Sequence, residues 1–220
     1  MVDPFCASRS YVWAALAFLC QVALAAPASA QEAPDQLVRR VADDVLVIIQ
    51  QDRELREGSQ SRMAQLIEEK IVPHFDFERM TRLAVGRNWR QATPEQRQAL
   101  IDEFRTLLVR SYSAAYSAYK QIVVEVKPLR LQPADDDVQV KTLIKLPTDA
   151  PPVSVDYSMY KASTNWKVYD VTVDGVSLVT TYRSTFAEQV SKGGIDGLVK
   201  ALQEMNAAKS APPPAGVPKR

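Results

Sequence analysis

The chain is poor in the residues from which reactive centres are usually assembled. Its 220 residues contain two cysteines and one histidine. Cys6 and Cys20 both fall in the first 30 residues, so a chain cut after Ala30 has no thiol and no disulfide, and burial alone must stabilise it. His74 stands between Pro73 and Phe75 with no cysteine or second histidine beside it. A zinc-type site needs several such ligands, and a capping or surface role is the expected one. A Ser-His-Asp triad would need the same histidine, and no Gly-x-Ser-x-Gly elbow presents a serine. A phosphate-binding Gly-Lys-Ser/Thr loop is missing as well, so nucleotide energy must come from elsewhere. An excess of one charge is also lacking: 27 Lys and Arg against 26 Asp and Glu leave a net +1, which gives no global field for nucleic acid.

The remaining charged features have simpler structural readings. Asp135-Asp136-Asp137 lacks the spaced carboxylates, central glycine and distal glutamate of a calcium loop, and is expected to be a solvated hairpin turn. No carboxylate pair of the glycosidase kind is singled out. Asp174-Gly175 marks a turn. Arg183 could meet a phosphate, although a salt bridge to Asp170 or Glu188 is the simpler expectation. No enzyme, no metal and no cofactor are expected.

Both ends differ from the middle. Tyr11 to Ala26 is mostly apolar, follows Arg9, and leads to Ala28-Ser29-Ala30, the small-x-small pattern of a signal peptide cut after Ala30. About 16 apolar residues are short for a bilayer span, which takes about 20. Leu19 before Cys20 argues against a lipoprotein signal. With no cysteine left in the mature chain, a bacterial periplasm is the expected compartment. Residues 209–220 are rich in alanine and proline with a basic tip, a composition that buries little, and are expected to be a tail. Residues 31–208 then form one domain.

Between these ends the apolar period changes once. Leu37, Val38, Val41, Val45, Leu46, Ile48 and Ile49 recur at helical spacing over Asp35 to Gln51, and a second helix from about Ser61 stops at Pro73. Asp76 is placed to cap a short helix from Phe77 to Val85, which Gly86 closes. Thr93-Pro94-Glu95-Gln96 opens a long helix with a capping box, and its stripe runs through Phe104, Leu108, Tyr112, Tyr116 and Tyr119. After Lys120 the period becomes two: Ile122, Val124 and Val126; Val138, Val140 and Thr142; Val153, Val155, Tyr157 and Met159; then Trp166, Val168 and Asp170. Helix returns from Ser177 to Gln189 with Leu178, Tyr182 and Phe186. It breaks at Gly193-Gly194 and resumes from Asp196 to Asn206. This order predicts an α+β fold, with helices packed on one face of a curved antiparallel sheet of about four strands.

Phe75, Phe77, Met80, Phe104, Tyr112, Tyr116, Tyr119, Tyr157, Met159 and Trp166 all face the space between helices and sheet in this arrangement. Such a stripe can be plain core, but tyrosine tips also suit the mouth of an apolar pocket. Several segments resemble the MlaC family: Asp76-Phe77-Glu78-Arg79-Met80, Gly86-Arg87-Asn88-Trp89-Arg90, Thr93-Pro94-Glu95-Gln96, Phe104-Arg105-Thr106-Leu107-Leu108, and Trp166-Lys167-Val168-Tyr169-Asp170-Val171 with Gly175-Val176-Ser177-Leu178-Val179 and Tyr182-Arg183-Ser184. Their order and breadth, from about Asp35 to Asn206, carry the resemblance.

The resemblance implies a periplasmic phospholipid-binding protein of NTF2-like fold, known also as a toluene-tolerance auxiliary component of an ABC transporter. Lipid tails would lie in an apolar pocket between sheet and helices, with the headgroup near solvent. The implied partners are phospholipid, an inner-membrane ABC transporter bearing an MCE-domain ring, and an outer-membrane lipoprotein–porin complex, visited by a monomer that helps keep outer-membrane lipid asymmetry. The residues expected to line the pocket are Phe77, Met80, Phe104, Leu108, Tyr112, Tyr116, Val140, Val155, Tyr157, Met159, Trp166, Val168, Leu178 and Tyr182. A carrier of hopanoid or another apolar lipid, and a ligand-free adaptor domain, are the competing readings.

Overall fold

The computed structural model describes residues 31–117, 122–147, 149 and 151–208. The leader, the Pro-rich tail and the side chains of 114–117, Tyr116 among them, lie outside the described residues, as does Tyr119.

Helix α1, Pro34–Gln51, starts with proline in its first turn, where the missing amide has no partner to lose. Asp52 then bends the chain and caps α2, Arg53–Glu57, by accepting from the Leu55 amide at 3.2 Å. This helix has too few turns to show a period in the sequence. Helix α3, Gln60–Lys70, is capped by Ser59, whose Oγ accepts from the Arg62 amide. A 3-10 turn, Val72–His74, forms around Pro73. The Asp76 carboxylate accepts from the Arg79 amide at 2.8 Å and starts α4, Phe77–Val85. A further 3-10 segment, Gly86–Gln91, leads into α5, Pro94–Ser117. At its start the expected reciprocal cap is present: the Gln96 amide donates to Thr93 Oγ1 at 3.2 Å, and the Thr93 amide to Gln96 Oε1 at 3.0 Å.

Five strands follow as an antiparallel meander: β1 (Val123–Val126), β2 (Asp137–Lys145), β3 (Val153–Lys161), β4 (Trp166–Val173) and β5 (Val176–Ser177), hydrogen-bonded in that order. The fifth strand, beyond the four expected, is made by Asp174-Gly175. Both residues have positive φ, 46° and 81°, the pattern of a type I′ hairpin turn, and Val173 pairs directly with Val176. The strand register aligns Val126, Thr142, Val155 and Val173 in one row across four strands. Thr142 is buried in that row, and its hydroxyl donates to the Val155 carbonyl at 2.6 Å, which satisfies the one polar tip.

A bulge changes which residues of β4 face inward. Met159 pairs with Val168, but Ser158 pairs with Asp170, so Tyr169 is an extra residue on β4. Trp166 and Val168 are buried before the bulge, and Val171 and Val173 after it. Asp170, expected to continue the inward face, instead turns to the next element. Its carboxylate accepts from the Ser177 hydroxyl (2.6 Å) and the Val179 amide (3.1 Å), tying β4 to the start of α6, Leu178–Ala207. The anticipated break in α6 is a kink at Gly193 and Gly194, whose φ and ψ are non-helical.

The outer face of the sheet is held by a second polar group. Arg79 lies 3.8 Å over the Tyr169 ring and 4.4 Å over that of Tyr160, and its Nη2 donates to Asp137 at 3.2 Å. Tyr160 donates to Asp76 at 2.6 Å and Tyr169 to Asp137 at 2.7 Å. Asp137 therefore does more than solvate a turn: it begins β2 and anchors α4 to the sheet.

Candidate functional site

Two differently filled spaces lie on the helices' inner side. Where α4, α5 and α6 meet, Phe104 contacts Tyr182 and Phe186 edge-on at ring-centroid separations of 5.0 and 5.1 Å, with Leu100, Leu107, Leu198 and Leu202 fully buried around them. Between α1 and the concave face of the sheet the packing stops short, leaving a cavity of about 270 Å³. That is close to the lower end of the roughly 300–1,000 Å³ usual for ligand sites.

Each wall follows from local structure. Leu37, Val41, Val45 and Ile49 form one side of α1 and reach the cavity at helical spacing. Val155, Tyr157 and Met159 on β3, and Val168, Val171 and Val173 on β4, supply the floor. Leu108 and Tyr112 come from α5, Phe77 and Met80 from the start of α4, and Leu178 from the start of α6. The 3-10 turn at 72–74 closes one edge. It is fixed to β4 by a bridge between Phe75 and Val168, by the Asp76 amide donating to the Val168 carbonyl at 2.8 Å, and by Lys167 Nζ donating to the Pro73 carbonyl.

Nine of the residues expected at a pocket are thus gathered here: Phe77, Met80, Leu108, Tyr112, Val155, Tyr157, Met159, Val168 and Leu178. Four others sit elsewhere. Phe104 and Tyr182 pack against Phe186 in the helical cluster because they lie on the opposite side of α5 and on α6. Val140 and Trp166 are inward-facing but wholly covered by neighbours in the sheet's own core. The side chain of Tyr116 lies outside the described residues. The α1 wall was not foreseen as a site, although its apolar period was visible, because periodicity marks a buried face and not what that face covers.

The chemistry available is narrow. The polar tips on the cavity wall belong to His74, Tyr112 and Tyr157. Burial, then the charges of Arg40 and Lys167, hold the His74 imidazole below its ordinary value, with Glu32 acting in the other direction. Arg183 reaches neither Asp170 nor Glu188. Its Nε and Nη2 donate to the Leu83 carbonyl at 3.1 and 2.9 Å, satisfying a free carbonyl at the end of α4. Asp170 is occupied by α6, and Glu188 pairs with Lys192. Among the described residues no three His, Cys, Asp or Glu side chains come close enough to hold a metal ion, and no helix is long and apolar enough to cross a membrane.

A meander sheet, a helical cover and an unfilled apolar interior define a class of protein: a container able to keep hydrocarbon away from water, with no bond-making groups needed for the task. The model of the MlaC protein family matches residues 39–204, and the chain belongs to that family. It is 21% identical over 179 residues to the intermembrane phospholipid transport system binding protein MlaC of Haemophilus influenzae, covering 80% of this chain and 84% of that one. It is 23% identical over 169 residues to the toluene tolerance protein ttg2D of Pseudomonas putida, covering 76% and 77%. A phospholipid-binding protein from Ralstonia solanacearum, solved in complex with a phospholipid, superposes with a TM-score of 0.72 at 42% identity, over 78% of this chain and 95% of that one.

Proposed function

We propose that this protein is a periplasmic phospholipid carrier. It takes acyl chains into the cavity between α1 and the sheet and moves them through water between an outer-membrane lipoprotein–porin complex and an inner-membrane ABC transporter with an MCE-domain ring, so maintaining outer-membrane lipid asymmetry. The observation that carries this reading is the apolar cavity itself, in a chain whose 42%-identical structural relative is described as holding a phospholipid. Residues 31–208 act as a monomeric carrier after removal of the leader behind Ala30.

The energetics explain why a container suffices. Each methylene kept from water is worth about 0.8 kcal/mol, so two chains of about fifteen carbons amount to roughly 20 kcal/mol of exposure to be avoided. The wall supplies apolar contact, no covalent step is required, and the carrier needs no energy source of its own. Net direction follows from whichever partner couples to ATP or to a concentration difference.

Native mass spectrometry and lipid extraction of the full chain, expressed with its leader and purified from a periplasm, test the proposal. Co-purifying phospholipid released on denaturation is the expected result. A bare chain under gentle conditions overturns it, and a sterol-like or hopanoid extract replaces phospholipid with another apolar cargo.

A further inference from the structure

One surface departs from the even mixing of charge along the chain. From Arg79 to Pro94 there are four arginines and no Asp or Glu, and from Leu178 to Ala187 there is Arg183 and again no acid. The net charge of the whole chain is only +1, so the imbalance is local. Folding joins the two stretches. Arg183 on α6 donates to the carbonyl of Leu83, the residue after Arg82, and the 3-10 segment Gly86–Gln91 follows α4 directly. Residues three apart eclipse in a 3-10 helix, so Arg87 and Arg90 stand on one side of it while Trp89 is buried on another.

Arg79 belongs to the sheet, held by Asp137 and two tyrosine rings. Arg82, Arg87, Arg90 and Arg183 are exposed. Among the described residues none of these four is in an ion pair, and the pairs nearby are Arg79 with Asp137 and Lys192 with Glu188. The other neighbouring acids stand at the ends. Asp76 caps α4 and accepts from Tyr160, Asp196 accepts from Gln96 beside Arg97, and Glu78 and Glu95 bracket the stretch. Arg97 offsets Asp196. Asp76, Glu78 and Glu95 set together against the four exposed arginines still leave a positive excess, and no acid lies between residues 82 and 90.

We propose that Arg82, Arg87, Arg90 and Arg183 form a docking surface for an anionic lipid bilayer, through the phosphates of its headgroups. Guanidinium matches phosphate oxygens in charge and in geometry. The choice of a bilayer over an acidic protein rests on what surrounds the arginines. A stable protein interface has an apolar or aromatic centre. Among the described residues the exposed large hydrophobics, Val47, Val123, Leu131 and Val176, all lie on other parts of the chain. Beside the arginines stand Gln91, Thr93, Ser184 and Thr185, exposed and uncharged. A charged bilayer surface asks only for basic side chains near it. None of the four arginines lines the cavity, whereas Phe77 and Met80 on the inner side of α4 do. The surface goes beyond the carrier reading and acts apart from cargo binding.

Flotation of the full chain, processed in a periplasm, with lipid vesicles tests this. Vesicles of phosphatidylglycerol and phosphatidylcholine in equal parts should carry the protein up, and pure phosphatidylcholine should not. Raised salt should release it, since contacts between exposed charges are screened. Arg82→Gln, Arg87→Gln and Arg90→Gln should each weaken binding about fivefold, and the three together should abolish it at the same protein concentration. Replacing the same three by Lys keeps the charges and should keep most of the binding. Lys70→Gln, Lys161→Gln and Lys200→Gln combined remove the same charge from other exposed positions and should change it little.

Equal losses in the two Gln triples make net charge the cause and overturn the surface, as does equal binding to both kinds of vesicle. Wild-type protein that ignores phosphatidylglycerol vesicles also overturns it; if the arginine triple then loses a cross-linked protein partner in intact cells, the surface belongs to an acidic protein. Co-purifying lipid, followed on the same samples by native mass spectrometry, should be the same in wild type and arginine triple. A wild-type chain that carries no lipid yet floats with the anionic vesicles sinks the carrier reading and leaves this surface standing.

Discussion

The two faces of α5 show how one helix serves opposite ends. Leu107 is fully buried against α6 and belongs to the packed cluster of Phe104, Phe186 and Leu198. Leu108, the next residue, edges the same cluster but also borders the cavity and is less completely buried. The first face is filled to the density that fixes a structure. The second leaves its neighbours short of contacts, which costs dispersion energy unless a guest restores it. The packed half is the frame, and the unfilled half is the proposed site.

That contrast can be broken by one pair of substitutions. Leu107→Ala should cost about 3–5 kcal/mol, the upper part of the range for buried leucine, because it opens a void in a filled cluster. Leu108→Ala, with the same chemistry, should cost about 2 kcal/mol, because its environment is already partly empty. Urea denaturation of the delipidated protein checks both. Equal losses would mean that the two faces of α5 are packed alike.

A second prediction concerns the frame alone. Gly194 has φ 66° and ψ −163°, a region essentially reserved for glycine, and a Cβ there would meet nothing within 4 Å. Gly194→Ala therefore isolates backbone strain and should cost about 1–3 kcal/mol in thermal or urea unfolding. It should leave lipid affinity unchanged, since the kink lies in α6 beyond the cavity wall.

A third sharpens the site. Val155→Trp places a large ring on the cavity floor, where space already exists. Stability should fall by no more than about 1–3 kcal/mol, the range for added bulk in a core, while displacement of about two methylenes of guest lowers affinity about tenfold. Loaded fractions from native mass spectrometry, set beside urea midpoints, separate the two effects. A loss of stability with full occupancy would place Val155 in the frame.

The smallest effect is a pH slope. The fold holds the His74 imidazole below 6.5, so the unfolded chain takes up a proton at a higher pH than the native one. Stability of the delipidated protein therefore falls as pH drops from 6.5 towards the lower native value. His74→Gln should flatten that part of the profile, between about pH 7 and 5, in urea midpoints. An unchanged slope would show that burial and the nearby cations do not act on this ring.

Much of the frame was legible because it is written in local chemistry. Thr93, Pro94 and Gln96 spell out a helix start whose bonds depend on residues within one turn. Asp76 and Gly86 bracket α4 in the same way, and the change from a period of 3.6 to one of 2 separated helices from strands. Asp174-Gly175 marked its turn because positive φ at adjacent positions suits few residues. The cavity wall was only partly legible. Phe104 and Leu108 share the apolar stripe of α5, and nothing within that stripe says which side will meet α6 and which will meet open space.

Other departures have the same origin in long-range contact. The extra residue at Tyr169 turns Asp170 away from the core and brings Val171 and Val173 into it, and alternation in β4 alone does not mark the change. Arg183 has acidic neighbours along the chain, but it serves a carbonyl at the end of α4, 100 residues earlier. In sequence Asp137 is one of three adjacent acids that suit a solvated turn, yet it receives hydrogen bonds from Arg79 and Tyr169.

By itself the sequence determined the order of helices and strands, their caps and turns, and the scarcity of reactive side chains, since each depends on residue type and near neighbours. Tertiary structure alone decided that α1 stands off part of the sheet, that one face of α5 is filled while the other is not, and that the turn carrying His74 meets Lys167 of β4. These depend on distances between elements far apart in the chain, where a periodic apolar face fits a packed core and an empty cavity equally well.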